Sequence, residues 1–356
     1  FGYGAWLCLA LMLAAGIIAH HQKLSALLAA GILLLPATQY PATTWWSKPD
    51  LDREYVLSLD VEHYFGNIQK MRKHLETDRQ ILWVTYYRNL YNATHPSEIN
   101  SPVSLSRNLL AWNQPGTNGL ILPVNPSASF LSILFANELW FTLGDMTMAE
   151  HCAMLSMIFS PRNSGSRMIK RLAEINLVNG DDEAALKYLR ILDKTLLHKS
   201  WAEKRIPGQQ TPRVKEWLEK KRRDIPTQDH LRSGNDAVTS LRNLVASNAG
   251  NLRAYEYLLC YHLLSKDLRS FVEDYVPGKV SSSIFAEALL IHLARQGNIR
   301  AEELIKYQIP VKIAKEFADY TRLYEAKDTS LKEKYGKTYW FYYHFATTEP
   351  GKESKP

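Results

Sequence analysis

Eleven histidines are the first place to look for a metal ligand or a general base. A zinc-protease helix needs His-Glu-x-x-His, which sets two imidazoles one turn apart with a carboxylate between them. No histidine in this sequence has that neighbourhood. Glu62-His63 and Glu150-His151-Cys152 put acid, base and nucleophile types side by side. Adjacent residues on a helix point about 100° apart, so these side chains diverge and read as partly exposed helix residues. The same geometry makes His20-His21 a polar loop before it makes it a metal pair. Cys8 lies in an apolar run, and Cys152 and Cys260 lie on apolar helical stretches, which reads as buried thiols with no disulfide required. No Gly-x-Ser-x-Gly, phosphate loop or dinucleotide fingerprint occurs, and Gly2-x-Gly4 sits inside an apolar run. Asn92-Ala93-Thr94 matches a glycosylation acceptor, a pattern common by chance. No catalytic residue, metal or cofactor is assigned from this search.

The charged residues say more about architecture than about chemistry. Residues 1–46 contain one basic side chain, Lys23, and no acid, so 42 of the 43 Lys and Arg and all 36 Asp and Glu fall in 47–356. A composition of 46% hydrophobic and 11% aromatic residues excludes a disordered chain, and 3 Cys exclude a disulfide scaffold. The densest basic run, Arg213, Lys215, Lys220, Lys221, Arg222 and Arg223 with Trp217 and Leu218 inside it, is diluted by Glu216, Glu219 and Asp224. It reads as a solvated helix face ahead of a lipid or nucleic-acid site, and the net charge of +7 does not call for nucleic acid.

The first element is an uncharged run from Tyr3 to Ala19, 17 residues that would span about 25 Å as a helix, near the short limit for a bilayer. After His20, His21, Gln22 and Lys23 a second uncharged stretch runs from Leu24 to Trp46, with Trp45-Trp46 placed as an interfacial aromatic belt would be. The pair reads as a transmembrane helical hairpin over 1–46. A secretory signal peptide is the rival reading, weakened by the second apolar run and by Phe1 in place of Met, which points to sequence upstream. Positive-inside counting does not settle the orientation.

Beyond Trp46 the pattern is helical, and it repeats. Leu143-Gly144-Asp145 and Asn179-Gly180-Asp181 lie 36 residues apart, each between two helical stretches. Setting Gly144 on the inter-helix turn of a tetratricopeptide repeat puts Ala149 and Ser156 at small helix-contact positions and Pro161 near the repeat end. Gly180 in the same register places Ala185 and Ala173 likewise. Asn251–Leu264 and Ser283–Gln296 read as further degenerate units. Residues 113–126 and 206–235 read as Pro-containing surface loops. The fold class expected is all-α: the membrane hairpin at 1–46, a helical linker region at 47–126, tetratricopeptide-like pairs at 127–205, the basic loop at 206–235, C-terminal helical repeats at 236–345 and a tail at 346–356. An irregular helical bundle is the alternative to an α-solenoid.

The order of the apolar N-terminal runs, ELWFTLGDMTMAEHCAMLSMIFSPRN at 138–163, AEINLVNGDDEAALKYLRIL at 173–192, AYEYLLCYHLLSKDLRSF at 254–271, AEALLIHLARQG at 286–297 and YGKTYWFYYHF at 335–345 resembles an uncharacterised family of Bacteroidota membrane proteins. In that family a multi-helix membrane part precedes a tetratricopeptide-like extracytoplasmic part. The resemblance implies a bacterial inner-membrane location with the soluble part in the periplasm, and it implies no catalytic residue.

These readings lead to a membrane-anchored helical-repeat scaffold that binds a protein or peptide partner, with the lipid bilayer as its other partner and no nucleic acid. In the register of Gly144 and Gly180, the concave face of the first helices presents Leu131, Leu134, Glu138 and Phe141, then Arg167, Lys170, Glu174 and Leu177. The expected binding residues are Glu138, Phe141, Arg167, Lys170 and Glu174, with Arg167 and Lys170 gripping a carboxylate. The alternatives are an accessory domain of a polytopic membrane enzyme handling lipid-linked glycans and a purely structural membrane scaffold.

Overall fold

The computed structural model describes residues 48–75, 84, 86, 87, 91, 130–159, 165–227, 237–280 and 282–345. Sixteen helices and no strand occur among them, as an all-α chain requires. The chain divides into two compact units, Phe1–Val84 and Thr85–Pro356.

In the first unit α1 (Lys48–Tyr64) turns back on α2 (Ile68–Leu75), with Val56, Leu59, Met71 and Leu75 buried and the Tyr55 hydroxyl donating to the carbonyl of His74. The expected inner-membrane location with a periplasmic soluble part is corrected here: no helix among the described residues is long and apolar enough to cross a membrane. The longest, α1, has 17 residues and carries Asp52, Arg53, Glu54, Asp60 and Glu62. The proposed hairpin at 1–46 and the loop at 113–126 lie outside the described residues.

The second unit begins, among described elements, with α3 (Phe130–Leu143), α4 (Met146–Ile158), α5 (Ser166–Asn179) and α6 (Asp182–Asp193). Each packs against the next. The turn between α3 and α4 and the turn between α5 and α6 share one construction. At Gly144 (φ +94°) and Gly180 (φ +83°) the chain enters the left-handed region, and the following Asp caps the next helix: Asp145 accepts from Met148 N–H at 2.8 Å and Asp181 from Ala184 N–H at 2.9 Å. The Asp N–H closes the previous helix, reaching Trp140 O at 3.0 Å and Asn176 O at 2.9 Å. The device returns at Lys266-Asp267, Gly297-Asn298 and Lys327-Asp328, where the second residue donates to His262 O, Leu293 O and Leu323 O.

Between these turns, small residues allow close approach. Ala149, Ser156, Ala173 and Ala185 are all fully buried, where the tetratricopeptide register puts them; Pro161 lies outside the described residues. On α6 Ala185, Leu189 and Leu192 are buried along one stripe, and Leu189 and Leu192 cluster with Ala173 of α5 and Ala202 of α7 (Lys199–Glu203). Cys152 and Cys260 are buried, and burial pushes the Cys260 thiol well above its ordinary range. Glu150 and His151 are half-buried on α4.

Within 206–227, read above as a surface loop, Pro212–Arg222 form a helix, α8. Pro212 stands in the first turn, where its missing N–H has no helical partner to lose, and Val214 and Leu218 are buried one turn apart. Then come α9 (Ala237–Ser247), α10 (Leu252–Leu264), α11 (Leu268–Asp274), α12 (Ser283–Arg295), α13 (Ala301–Lys306), α14 (Val311–Glu325), α15 (Leu331–Tyr335) and α16 (Tyr339–Phe345). Helix α12 is the centre of this group, buried from Ile284 to Ile291. The aromatic segment at 339–345 docks on it: Glu287 accepts from Tyr339 N–H at 2.6 Å, Trp340 Nε1 donates to Glu287 O at 2.9 Å, and the Tyr339 and Tyr342 hydroxyls reach Leu263 O and Leu264 O of α10.

Two substitutions test this packing. A Cβ on Gly180 meets nothing within 4 Å, whereas one on Gly144 would lie 2.3 Å from the Asp224 carbonyl oxygen. Gly180→Ala should therefore cost only the left-handed penalty, about 1–2 kcal/mol. Gly144→Ala adds a clash with backbone and should cost about 2–5 kcal/mol. Equal losses in urea unfolding would mean that the close approach at Gly144 is wrong. By the same assay, Ala149→Leu and Ala185→Leu should each cost about 1–3 kcal/mol by overpacking.

Candidate functional site

Helix α5 carries Arg167, Lys170, Arg171 and Glu174 on one side, because residues three and four apart share a helix face. Helix α3 opposes them with Asn137, Glu138 and Phe141. The side chains interlock. Glu138 accepts from Arg167 at 3.2 Å and from Arg171 at 2.5 Å; Arg171 pairs with Glu174 at 3.0 Å and donates through Nε to Asn137 at 3.1 Å. Asn137 in turn donates to the carbonyl of Ala149 at 2.6 Å, so the network reaches into α4. The Arg171 guanidinium lies over the Phe141 ring at 3.8 Å.

The five residues expected to bind a partner are thus brought into one cluster, but most of it is internal. Glu138 and Phe141 are buried, and Trp217 of α8 stacks against Phe141 at 6.4 Å between ring centroids. Part of the face expected to be open and concave is covered by the chain's own basic helix. Lys170 lies at the edge of the cluster, 5.2 Å over the ring of Trp201, and Arg205 lies 4.1 Å over the same ring. Sequence reasoning missed Arg171, Trp201, Arg205 and Trp217. The spacing of Arg171, four residues after Arg167 and three before Glu174, was a visible signal; the other three sit on elements whose folding back was not.

The basic run has structural work of its own. The C-terminal carbonyls of α3 are taken by Lys221 Nζ (Phe141 O, 3.4 Å), Arg253 (Thr142 O, 3.0 Å) and Asn251 (Leu143 O, 2.8 Å). Those of α5 are taken by Arg222, which donates to Leu177 O at 2.7 Å and to Val178 O at 3.0 Å. Cations at helix C-termini also oppose the negative end of the helix dipole. Arg213, Lys215, Lys220 and Arg223 stay exposed.

Several of these cations are held at an electrostatic cost. Burial pushes the Lys221 ammonium down to about 8, helped by Arg253 and Arg171 and opposed by Asp224 and Glu174. Burial also lowers Lys170 and Arg205, and Glu174 raises both. His198, 3.2 Å from the Ser166 hydroxyl through Nε2, is lowered by burial and by Lys170.

The fold and site together define an all-helical protein of packed helix pairs with a buried ion-pair network and a cation–aromatic edge. Residues 1–346 match a family of unknown function, DUF6057, and the chain belongs to that family. No curated protein and no solved structure matches it.

Lys221 supplies a pH test. Its folded affinity for a proton is below its unfolded one, so between about pH 8 and 10 the unfolded chain binds more protons and stability rises with pH; below about 8 the penalty is fully present. Lys221→Met should raise stability at pH 7 by about 1–3 kcal/mol and flatten that rise. Buried tyrosines such as Tyr342, pushed up to about 12, act with the opposite sign only above pH 10. Urea unfolding of both proteins at pH 7, 8, 9 and 9.5 checks this, and parallel pH profiles would refute it.

Proposed function

We propose that this chain is a helical-repeat scaffold, tetratricopeptide-like in its helix pairs, whose role is to bind a protein or peptide partner. The observation that supports the reading most directly is the turn between α6 and α7, where Leu196 is 98% exposed and Leu197 80% exposed. The turn that displays them is well braced. Thr195 Oγ1 donates to Leu192 O at 2.7 Å and accepts from His198 N–H at 3.2 Å, and Lys199 N–H reaches Thr195 O at 3.2 Å. Two adjacent leucines held in water forgo about 1.5–3 kcal/mol each of burial free energy, which a partner surface would recover. Ile191, exposed on the last turn of α6, extends the apolar surface.

The surroundings indicate the chemistry of the partner. Residues 187–204 carry Lys187, Arg190, Lys194, Lys199 and Lys204 against Asp193 and Glu203. An apolar knob with a basic rim suits an apolar pocket with an acidic rim, and the helix pairs behind it supply the rigid frame that solenoid-type binders use.

A photo-crosslinking residue at Leu197, activated in the native host, should give a discrete adduct that the Leu196→Ser variant loses. Because both leucines are exposed, Leu196→Ser and Leu197→Ser should each shift unfolding free energy by less than about 0.5 kcal/mol. No adduct from Leu197, Ile191 or Lys199 would remove the partner-binding reading.

A further inference from the structure

Helix α6 carries opposite charge at its two ends. Asp181, Asp182 and Glu183 open it and Arg190 and Lys194 close it, all of them exposed. Its buried stripe is Ala185, Leu189 and Leu192, so the positions half a turn round, Glu183, Lys187, Arg190 and Lys194, face water. The Glu183 side chain is 88% exposed and pairs with Lys187 of its own helix at 3.7 Å; among the described residues Arg190 and Lys194 are in no ion pair. Beside this charged row runs an apolar one at helical spacing, Ala184, Tyr188 and Ile191, the first two half-buried and Ile191 exposed, and beyond the helix end come the exposed Leu196 and Leu197. At the opposite end the Asn179-Gly180 turn is exposed and open, since a Cβ on Gly180 would meet nothing within 4 Å. A surface with acid at one end, base at the other and apolar side chains between them matches its own copy turned end for end.

We propose that α6 and the leucine turn after it are the face on which two copies of this chain pair, antiparallel, about a two-fold axis that passes α6 between Lys187 and Tyr188. In that register Ala184 of one copy lies opposite Ile191 of the other, a small side chain against a large one, and Glu183 comes between Arg190 and Lys194 of the second copy. The two-fold repeats each contact. Leu196 and Leu197 reach the open Asn179-Gly180 turn of the second copy, where Asp181, Asp182 and Glu183 form the acidic rim that the basic surroundings of the leucines call for. Lys187 stands nearest the axis, and its long stem lets the ammonium swing out to water rather than face the same charge. Exposed ion pairs contribute little each and are screened by salt, so the leucines supply most of the affinity and the charges fix the direction of pairing. The proposal deepens the partner-binding reading and rests on it for the role of Leu196 and Leu197.

Sedimentation equilibrium of the full chain over a range of micromolar concentrations tests this. The unaltered protein should show a monomer–dimer equilibrium that Leu197→Ser weakens roughly tenfold or more. Two charge variants, Glu183→Lys alone and Arg190→Glu with Lys194→Glu, should each weaken pairing with themselves by a similar factor, because like charges then meet on both sides of the axis. Mixed in equal amounts they should form a heterodimer about as tight as the unaltered dimer, since each copy presents the charge that the other has lost. Copies bearing Ala184→Cys mixed with copies bearing Ile191→Cys should oxidise to a disulfide-linked pair, which reads the register directly. A monomer at every concentration, a dimer indifferent to these substitutions, or no heterodimer on mixing would overturn the proposal. A monomer whose Leu197 crosslinks to a different protein in the host would overturn the pairing and leave the partner-binding reading standing. Rescue on mixing without any adduct in the host would do the reverse, and an adduct of twice the chain's mass would support both.

Discussion

The side chain of Asn251 joins three segments that are far apart in sequence. Its Oδ1 accepts from Ala254 N–H at 3.0 Å and caps α10, while its Nδ2 donates to Leu143 O at 2.8 Å and to Asp224 O at 2.7 Å. This fully buried amide therefore closes α3, starts α10 and fixes the end of α8. The Asp224 carbonyl it holds is the one that approaches the Cα of Gly144 too closely for any side chain. Arg253, two residues on, bonds both Thr142 O and the Asp224 carboxylate. With α8 fixed at its C-terminus, Trp217 meets Phe141, Lys221 meets the end of α3, and Arg222 meets the end of α5. The helix ends that would otherwise bury unsatisfied carbonyls are what hold the basic helix in place.

That arrangement determines what the Glu138 network does. Replacing a buried ion pair with apolar residues of similar volume is often neutral or stabilising, whereas removing one partner leaves a buried charge and is strongly destabilising. Glu138 receives two arginines and Arg171 touches Glu138, Glu174, Asn137 and Phe141, so the members depend on each other. The network is better understood as setting the register of α3 against α5 than as a source of net stability. An apolar replacement would tolerate a slide of one helix turn; these hydrogen bonds, with Asn137 tied to the Ala149 carbonyl, do not.

The turns and tight contacts were legible in the sequence because they are local. Gly144-Asp145 and Gly180-Asp181 combine a left-handed residue with an Asp cap, and each ingredient is a residue type at a fixed position. Ala149 and Ala185 follow at constant spacing. The candidate site was half legible. Helical periodicity grouped Glu138 with Phe141 and Arg167 with Lys170 and Glu174, since a face is a matter of spacing, and it set both groups side by side on an open concave surface, whereas the structure turns Glu138 and Phe141 against Arg167 and Arg171. It did not tell what covers that face. The covering helix α8 contains Pro212, 5 basic residues and a weak apolar stripe of Val214 and Leu218, all of which read as a solvated segment, and its burial depends on Asn251, 29 residues beyond its end. The Asn251 cap of α10 was readable from its position before a helix; its two long-range bonds, across 108 and 27 residues, were not.

Basic residues in this unit do three physically different things, and the differences explain why the net charge of +7 does not by itself name a partner. Lys221, Arg222 and Arg253 spend their donors on helix carbonyls, so their charges answer helix dipoles. Arg167 and Arg171 answer two carboxylates inside the network. Lys170 and Arg205 both lie over the ring of one tryptophan, Trp201. A ring quadrupole offsets part of a cation's desolvation but cannot satisfy a guanidinium N–H in its own plane. The Nε of Arg205 is accordingly left buried without a hydrogen bond, a cost that the contact with the Trp201 ring and the bond to the Trp201 carbonyl have to offset.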